Sequence, residues 1–346
     1  MQHNKASIQG LKQAPGSSRA GRPAFLAPHA GYSDLPYRRI CAREGAVLST
    51  TELASAAGIR YSGLNKSRRY LEINPATEGP VLIQLFGAEA LDFKAAAEAV
   101  LADPVLGGCT GIDINMGCPV PKVVKNGAGS ALMERPEEAA EICRTLFPLL
   151  EAEGKVLSVK MRRGFKGEEE KAPELACRLA AEGVSLITVH GRFREEFYSG
   201  RADWGVIRRV HEALEKEGLR EGVLLAANGD VKDPASYDAC LAESGADLAA
   251  VGRAATGRPW IFRELQGRAE PDAREKAEII FEHAAGTAAF LGEEAGMREF
   301  RKTLTAYAAG RPQAKLLRRE SVKIDSLDDV KAWLSLYLYG KDAFFH

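Results

Sequence analysis

The sequence contains no run of about 18 apolar residues, the minimum for a bilayer-spanning helix, which argues against a membrane enzyme. Its first 22 residues hold Lys5, Lys12, Pro15, Gly16, Arg19 and Arg22 but no apolar stretch, so they read as a flexible extension of a cytoplasmic protein rather than a secretory signal. None of the six cysteines (Cys41, Cys109, Cys118, Cys143, Cys177 and Cys240) belongs to a CxxC pair, which argues against both a zinc site and a disulfide framework. No metal is expected. Neither sign of charge is in excess, because 47 Lys and Arg balance 47 Asp and Glu. Whole-molecule electrostatics therefore does not point to nucleic acid, and any such reading must rest on a local cluster. Solenoid-length repeats are also absent.

What is present is alternation. From Phe25 onward, eight short apolar or β-branched runs (24–28, 46–50, 81–85, 111–115, 156–161, 186–190, 223–227 and 248–252) alternate with helical patterns. Eight such units predict an α/β fold of the (β/α)8 TIM barrel type rather than a doubly wound sheet of five or six strands. Pro136 followed by Glu137 and Glu138 marks the start of the helix before the fifth strand, and Gly154 its end. After Pro259 no strand-like run follows, and periodic Ala-, Leu- and charge-rich stretches continue through Trp333. The expected division is an extension at 1–22, a barrel at 23–262 and an all-helical domain at 263–346.

Barrel enzymes gather their functional groups at the C-terminal ends of the strands, and polar residues stand there. Gln84 ends the third run, Asn115 with Gly117 and Cys118 the fourth, Lys160 the fifth and His190 with Arg192 the sixth. Asn228-Gly229-Asp230 ends the seventh and Gly252-Arg253 the eighth. Glycine turns after the last two runs suit a phosphate bound by backbone N–H groups, with Arg253 as a fixed cation, although Asn228-Gly229-Asp230 alone equally fits an ordinary turn. Lys160 either snorkels its ammonium into the barrel mouth or faces the negative edge of a reduced flavin. His190 is either a satisfied core histidine or a donor to a phosphate or flavin edge. Pro119 and Pro121 block immediate helix formation after Cys118, so a long loop through Ser130, able to close over a substrate, is expected. An ordinary thiol keeps its proton at neutral pH, which makes Cys118 the candidate general acid.

Three stretches together carry a resemblance: Ala27-Pro28-His29-Ala30-Gly31-Tyr32-Ser33-Asp34-Leu35-Pro36, Gln84-Leu85-Phe86-Gly87 and Asp113-Ile114-Asn115-Met116-Gly117-Cys118-Pro119. With Val189-His190-Gly191-Arg192, Tyr198-Ser199-Gly200, Asp203-Trp204, Asn228-Gly229-Asp230 and Gly252-Arg253 following in order, the chain resembles the bacterial branch of the tRNA-dihydrouridine synthase family from about Phe25 to Leu265. The resemblance implies FMN in the barrel mouth, reduced by NADPH, then hydride delivery from flavin N5 to C6 of a tRNA uridine. It places the FMN contacts at Pro28, His29, Ala30, Gln84, Lys160, His190, Asn228, Gly229, Asp230, Gly252 and Arg253. Cys118 matches the family's donor of the C5 proton, and Asn115 and Arg192 fall near the uracil. No GxGxxG follows a strand, so NADPH and tRNA are expected to take turns at one flavin face.

Two departures from the family pattern stand out. His29 occupies a position usually held by Met, which bears on flavin affinity, and Thr303 and Ala306 replace the usual His and aromatic residue, which bears on RNA docking. The local charge cluster does exist: between 298 and 323, Arg298, Arg301, Lys302, Arg311, Lys315, Arg318, Arg319 and Lys323 face only Glu299 and Glu320. Arg301, Lys302, Arg311, Lys315, Arg318 and Arg319 are the expected phosphate contacts, although a solvated charged face is the commoner fate of such a run. Two other readings remain open, a flavin barrel acting on a small molecule and an RNA-binding homologue without turnover. The basic domain argues against the first, and intact Cys118, Lys160 and His190 against the second. No obligate protein partner is evident.

Overall fold

The computed structural model describes residues 21–167 and 169–340 of the chain. Its parallel strands are β1 (Ala24–Leu26), β2 (Ser49–Thr50), β3 (Ala54–Ser55), β4 (Val81–Phe86), β5 (Gly111–Met116), β6 (Val156–Gly164), β7 (Leu186–Phe193), β8 (Leu224–Asn228) and β9 (Leu248–Val251). β1 pairs with both β2 and β9, and β2 with β4, so eight strands close into a ring. β3 is a short addition alongside the upper end of β4, with Ala54 opposite Leu85 and Ser55 opposite Phe86. No apolar or β-branched run surrounds those two residues, which is why the sequence does not announce the strand.

Each member of the ring leads into a helix: α1 (Leu35–Glu44), α2 (Ala56–Ser62), α3 (Ala90–Ala102), α4 (Pro136–Ala152), α5 (Ala172–Ala181), α6 (Gly205–Lys216), α7 (Pro234–Ser244) and α8 (Ile261–Leu265). Local chemistry fixes their ends. Asp34 caps α1 by accepting from the Tyr37 N–H, and Gly45 closes it in the left-handed conformation. Asp233 and Ser236 cap each other at the start of α7. The Pro136 start expected for the helix before the fifth strand is found at α4.

Period-two alternation divides each strand between two environments. Leu26, Ile83, Ile114, Val159 and Val189 face outward into the layer beneath the helices. Phe25, Leu82, Val156, Leu186, Leu224 and Leu248 form an apolar cluster of their own, the floor of the barrel interior. Higher in the same interior the buried residues become polar: Gln84, Asp113, Ser158, His190 and Asn228.

The C-terminal helices are α9 (Ala273–Leu291), α10 (Glu293–Tyr307), α11 (Ala314–Ser321) and α12 (Leu327–Tyr339). They enclose a second core around Ile280, Met297, Phe300, Leu317 and Trp333. Ile40 of α1 and Trp260 belong to that core as well, so the helical domain begins to pack before residue 263. At the other end, residues 1–20 of the expected extension lie outside the described residues, and Arg22 is already ion-paired with Asp238 of α7 at 2.6 Å.

Contact between the two cores is close. Tyr37 stacks on His283 with ring centroids 4.9 Å apart, and His283 Nδ1 hydrogen-bonds with the Tyr307 hydroxyl at 3.0 Å. Gly257, at φ +70°, lies so near α10 that a Cβ there would stand 2.5 Å from the Ala306 carbonyl carbon. Gly257→Ala therefore combines a disfavoured backbone conformation with overpacking against main chain, and we expect a loss of about 2–4 kcal/mol in chemical denaturation. A variant as stable as the parent would show that this contact does not seat the helical domain.

Candidate active site

A cavity of about 1150 Å³ opens at the C-terminal end of the barrel. Every position at which cofactor, uracil or proton transfer was expected borders it: Pro28, His29, Ala30, Gln84, Asn115, Cys118, Lys160, His190, Arg192, Asn228, Gly229, Asp230, Gly252 and Arg253. β6 and β7 run on to Gly164 and Phe193, past the expected ends at 161 and 190, so Lys160 and His190 lie within strands. Strand register sets them beside their neighbours, with Asn115 opposite Lys160, Arg162 opposite His190, and His190 opposite Asn228.

Burial, and after it the neighbouring charges, sets the protonation of this wall. Burial, with Arg162 adding to it, pushes Lys160 down to about 8, while Asp113 pulls in the opposite direction. Lys160 has no hydrogen-bond acceptor among the described residues, and its side chain lines the cavity. Burial first, then Lys160, Arg162, Arg192 and Arg253, hold His190 well below the ordinary imidazole range. His190 is therefore neutral, and because Arg192 Nη1 stands 3.3 Å from Nε2 and can only donate, the proton of the ring sits on Nδ1. His29 is likewise kept neutral by burial and by Arg253 and Lys302, with Nδ1 3.1 Å from the Thr256 hydroxyl.

Asp230 organises the turn after β8 from a left-handed backbone, φ +60°. Its carboxylate accepts from Arg192 at 2.8 Å, from Arg253 at 3.0 Å and from the Ala202 N–H at 2.7 Å. Burial opposes its ionisation, but these donors outweigh burial and hold the carboxyl below the usual range. Gly229 at φ +119° has no room for a side chain, since a Cβ would lie 2.7 Å from that of Ala202. Asn228 is anchored through Nδ2 to the Ala250 carbonyl at 2.7 Å. Beyond β9, Gly252, Arg253 and Ala254 line the cavity, and their backbone N–H groups have no acceptor among the described residues.

Cys118 lies half-buried on the lip. Its N–H donates to Asn115 Oδ1 at 2.8 Å and its carbonyl accepts from the Ser130 hydroxyl at 2.9 Å. The long loop expected after Cys118 is shorter than the prolines suggest. Pro121 opens a helical turn, Pro121–Val124, and a second turn covers Gly129–Glu134. Proline is tolerated in the first turn of a helix, where its missing N–H has no partner to lose.

Several residues here were not singled out in the sequence. Arg162, two places after Lys160 and on the same inward face, donates to the carbonyls of Gly117 (2.9 Å), Phe193 (2.9 Å) and Phe197 (3.0 Å), tying together the loops after β5 and β7. Phe197, at φ +49° and 43% exposed, and Tyr198, 50% exposed, form an aromatic rim, with the Arg253 guanidinium 4.7 Å from the Tyr198 ring centre. Period two would have found Arg162, but nothing local signals the rim.

The basic residues expected to contact RNA divide into two sets. Lys315, Arg318 and Arg319 are exposed on α11, and exposed Lys302 of α10 reaches back to the barrel, its ammonium 5.5 Å from the Tyr32 ring centre. Arg311 instead stacks on Tyr337 and bonds its carbonyl, and Arg301 is held by the Ile324 carbonyl and Asp325. Those two are committed inside the helical domain. Thr303 is buried, and the backbone of Ala306 lies against Gly257.

Known proteins share the sequence and the fold. A family model described as dihydrouridine synthase matches residues 25–338. A probable tRNA-dihydrouridine synthase of Rhizobium leguminosarum bv. phaseoli is 38% identical over 286 residues, 82% of this chain and 84% of that protein. The tRNA-dihydrouridine synthase B of Pseudomonas putida is 33% identical, covering 89% and 88% respectively. Among solved structures, a morphinone reductase variant in complex with tetrahydroNAD superposes with a TM-score of 0.52 at 12% identity, over 74% of this chain and 90% of that one, a likeness of fold.

The clamp at Arg162 generates a prediction. Arg162→Ala leaves three backbone carbonyls without their cationic donor and frees the Phe197 turn, so stability should fall by about 2–4 kcal/mol. Chymotrypsin should then cut at Phe197 or Tyr198 in the folded variant but not in the parent. Equal resistance in both would remove the clamp from this account.

Proposed function

The chain belongs to the dihydrouridine synthase family, and from that membership we propose that its barrel mouth reduces a uridine of tRNA, with FMN as cofactor and NADPH as reductant. The reaction class, a flavin-dependent oxidoreduction, goes with the family. The observation that carries the fuller reading is that Lys160, whose ammonium has no acceptor among the described residues, and Cys118 line one cavity.

The wall suits a phosphorylated flavin in three respects. Lys160 offers a fixed cation to an electron-rich ring edge. The N–H groups of Gly252, Arg253 and Ala254, which have no acceptor among the described residues, with the Arg253 guanidinium beside them, suit a phosphate. Neutral His190 presents Nδ1–H as a donor that adds no charge. FMN, when bound, supplies the hydride that reaches C6 of the uracil.

The chain's own groups do the rest. Lys160 holds negative charge at the cofactor edge, so that charge need not be solvated by water. Asn115 and Arg192 stand near the uracil; Arg192 acts mainly through Asp230, Ser199 and Gly200, to which its buried guanidinium is bonded. Cys118 carries its proton on Sγ and delivers it to C5 as general acid. To enter the mouth the base leaves its stack, at a cost of a few kcal/mol that a loop base reduces. Lys302, Lys315, Arg318 and Arg319 supply phosphate contacts for the RNA body. The cytoplasm is the compartment in which such an enzyme meets its substrate.

Anaerobic turnover tests the reading. Protein reduced with NADPH should reoxidise on adding unmodified tRNA, and Cys118→Ala should keep its flavin and its reduction by NADPH while reoxidation by tRNA slows by about 100-fold or more. Wild-type protein that stays reduced with tRNA would overturn the assignment of substrate. A Cys118→Ala variant at the parental rate would overturn the assignment of the proton donor.

Lys160 adds a pH dependence with a definite sign. In the ligand-free protein its ammonium is present below about pH 8 and lost above it, so affinity for anionic FMN should weaken by about tenfold from pH 7 to pH 9. Lys160→Met should bind more weakly at pH 7 and show a flat profile, as followed by quenching of flavin fluorescence. A sloping profile in Lys160→Met would assign the titration to another group.

A further inference from the structure

Asp113 lies inside the barrel on β5, buried below the cavity. Its carboxylate accepts from Gln84 Nε2 at 2.7 Å and from the Ser158 hydroxyl at 2.5 Å. Gln84 Oε1 in turn accepts from Asn115 Nδ2 at 2.9 Å. Asn115 Oδ1 then accepts from two backbone N–H groups, those of Gly117 at 3.1 Å and Cys118 at 2.8 Å. Four side-chain bonds thus run in one direction from the lip to a carboxylate.

That direction is not set by the amides. Glutamine and asparagine each present a donor and an acceptor of nearly the same size, and either fits its pocket turned over. A carboxylate has no such freedom, because when ionised it only accepts; burial pushes the Asp113 carboxyl up, and the Gln84 and Ser158 donors and the Lys160 ammonium pull it back toward the ionised form. Facing Asp113, Gln84 has to turn its NH2 toward the carboxylate, which leaves Oε1 for Asn115. Asn115 has to turn its NH2 toward Gln84, which leaves Oδ1 for the N–H groups of Gly117 and Cys118. With both amides reversed, an NH2 group would stand against two N–H donors, and the turn that carries the thiol would lose both bonds.

We propose that Asp113 is a positioning residue that locks the polarity of the Gln84–Asn115 pair from its buried end and, through it, strengthens the hold on the backbone of Cys118 over the barrel mouth. Its effect on turnover rests on the reading of Cys118 as proton donor. Its effect on the Cys118 backbone does not, so the two fail separately: loss of the donor assignment by Cys118→Ala kinetics would leave the measurement below unaffected.

The test uses the full chain as purified. Amide hydrogen exchange at Gly117 and Cys118 is measured together with the rate at which iodoacetamide alkylates Cys118, identified by peptide mass, with half-buried Cys177 as internal control. Asp113→Asn removes the fixed acceptor at the buried end, so that the orientation of the relay is held only from the lip, by the Gly117 and Cys118 N–H groups. Both rates at the lip should rise by about tenfold, while Cys177 is unchanged. Moving the carboxylate one place along should restore the direction: in the double variant Asp113→Asn with Gln84→Glu, residue 84 accepts from both neighbours, Asn115 keeps its orientation, and the rates return toward those of the parent. Asp113→Asn at the parental rates, or a double variant no slower than Asp113→Asn, would overturn the proposal, since a filler of space would be indifferent to where the charge sits. If Asp113→Asn does not fold, the parent decides: Gly117 and Cys118 amides protected at least tenfold relative to exposed Val120 support the relay, and exchange as fast as Val120 refutes it.

Discussion

A parallel sheet closed on itself leaves neither face in water, so each polar side chain that points inward has to find its partner inside the barrel. The lower interior avoids the problem with Phe25, Leu82, Val156, Leu186, Leu224 and Leu248. The upper interior meets it with networks. Asp113, Gln84, Asn115 and Ser158 bond one another; Arg192, His190, Asp230 and Arg253 form a second group; Arg162 draws on the carbonyls of two loops. Among the described residues these networks leave the Lys160 ammonium and the backbone N–H groups after β9 without an acceptor.

The same enclosure sets the protonation of the site. Burial first, and then the crowding cations Lys160, Arg162, Arg192 and Arg253, hold His190 well below the ordinary imidazole range. Asp230 remains ionised because two of those cations and a backbone N–H converge on it. The mouth thus keeps a surplus of fixed positive charge in a chain of zero net charge, and an anionic ligand completes that balance.

The barrel was legible in the sequence because every strand of the ring lies in an apolar or alternating run, even two-residue β2 at the end of the run 46–50, whereas β3 lies in none. The candidate site was legible because the C-terminal strand ends hold polar residues where a mere core would hold none. Cys118, Lys160 and His190 do border one cavity. Less was legible where meaning depends on partners distant in sequence. Arg311 looked like a surface cation in a basic run, yet it lies against Tyr337, 26 residues away. Asp113 looked like part of a motif, but its bonds reach Gln84 on β4 and Ser158 on β6. The long loop after Cys118 was misjudged for a local reason, the position of Pro121 within a helical turn.

α1 has a consequence for how such chains can diverge. Tyr37 and Cys41 on one side of this helix belong to the barrel's outer layer, while Ile40 on another side belongs to the core of the helical domain. Gly257 and Trp260 make the same double commitment from the loop after β9. The C-terminal helices are therefore not a detachable module. Recombination that exchanged them between relatives would carry across one half of a fitted joint, and the seat on α1 and the β9 loop would have to be exchanged with them.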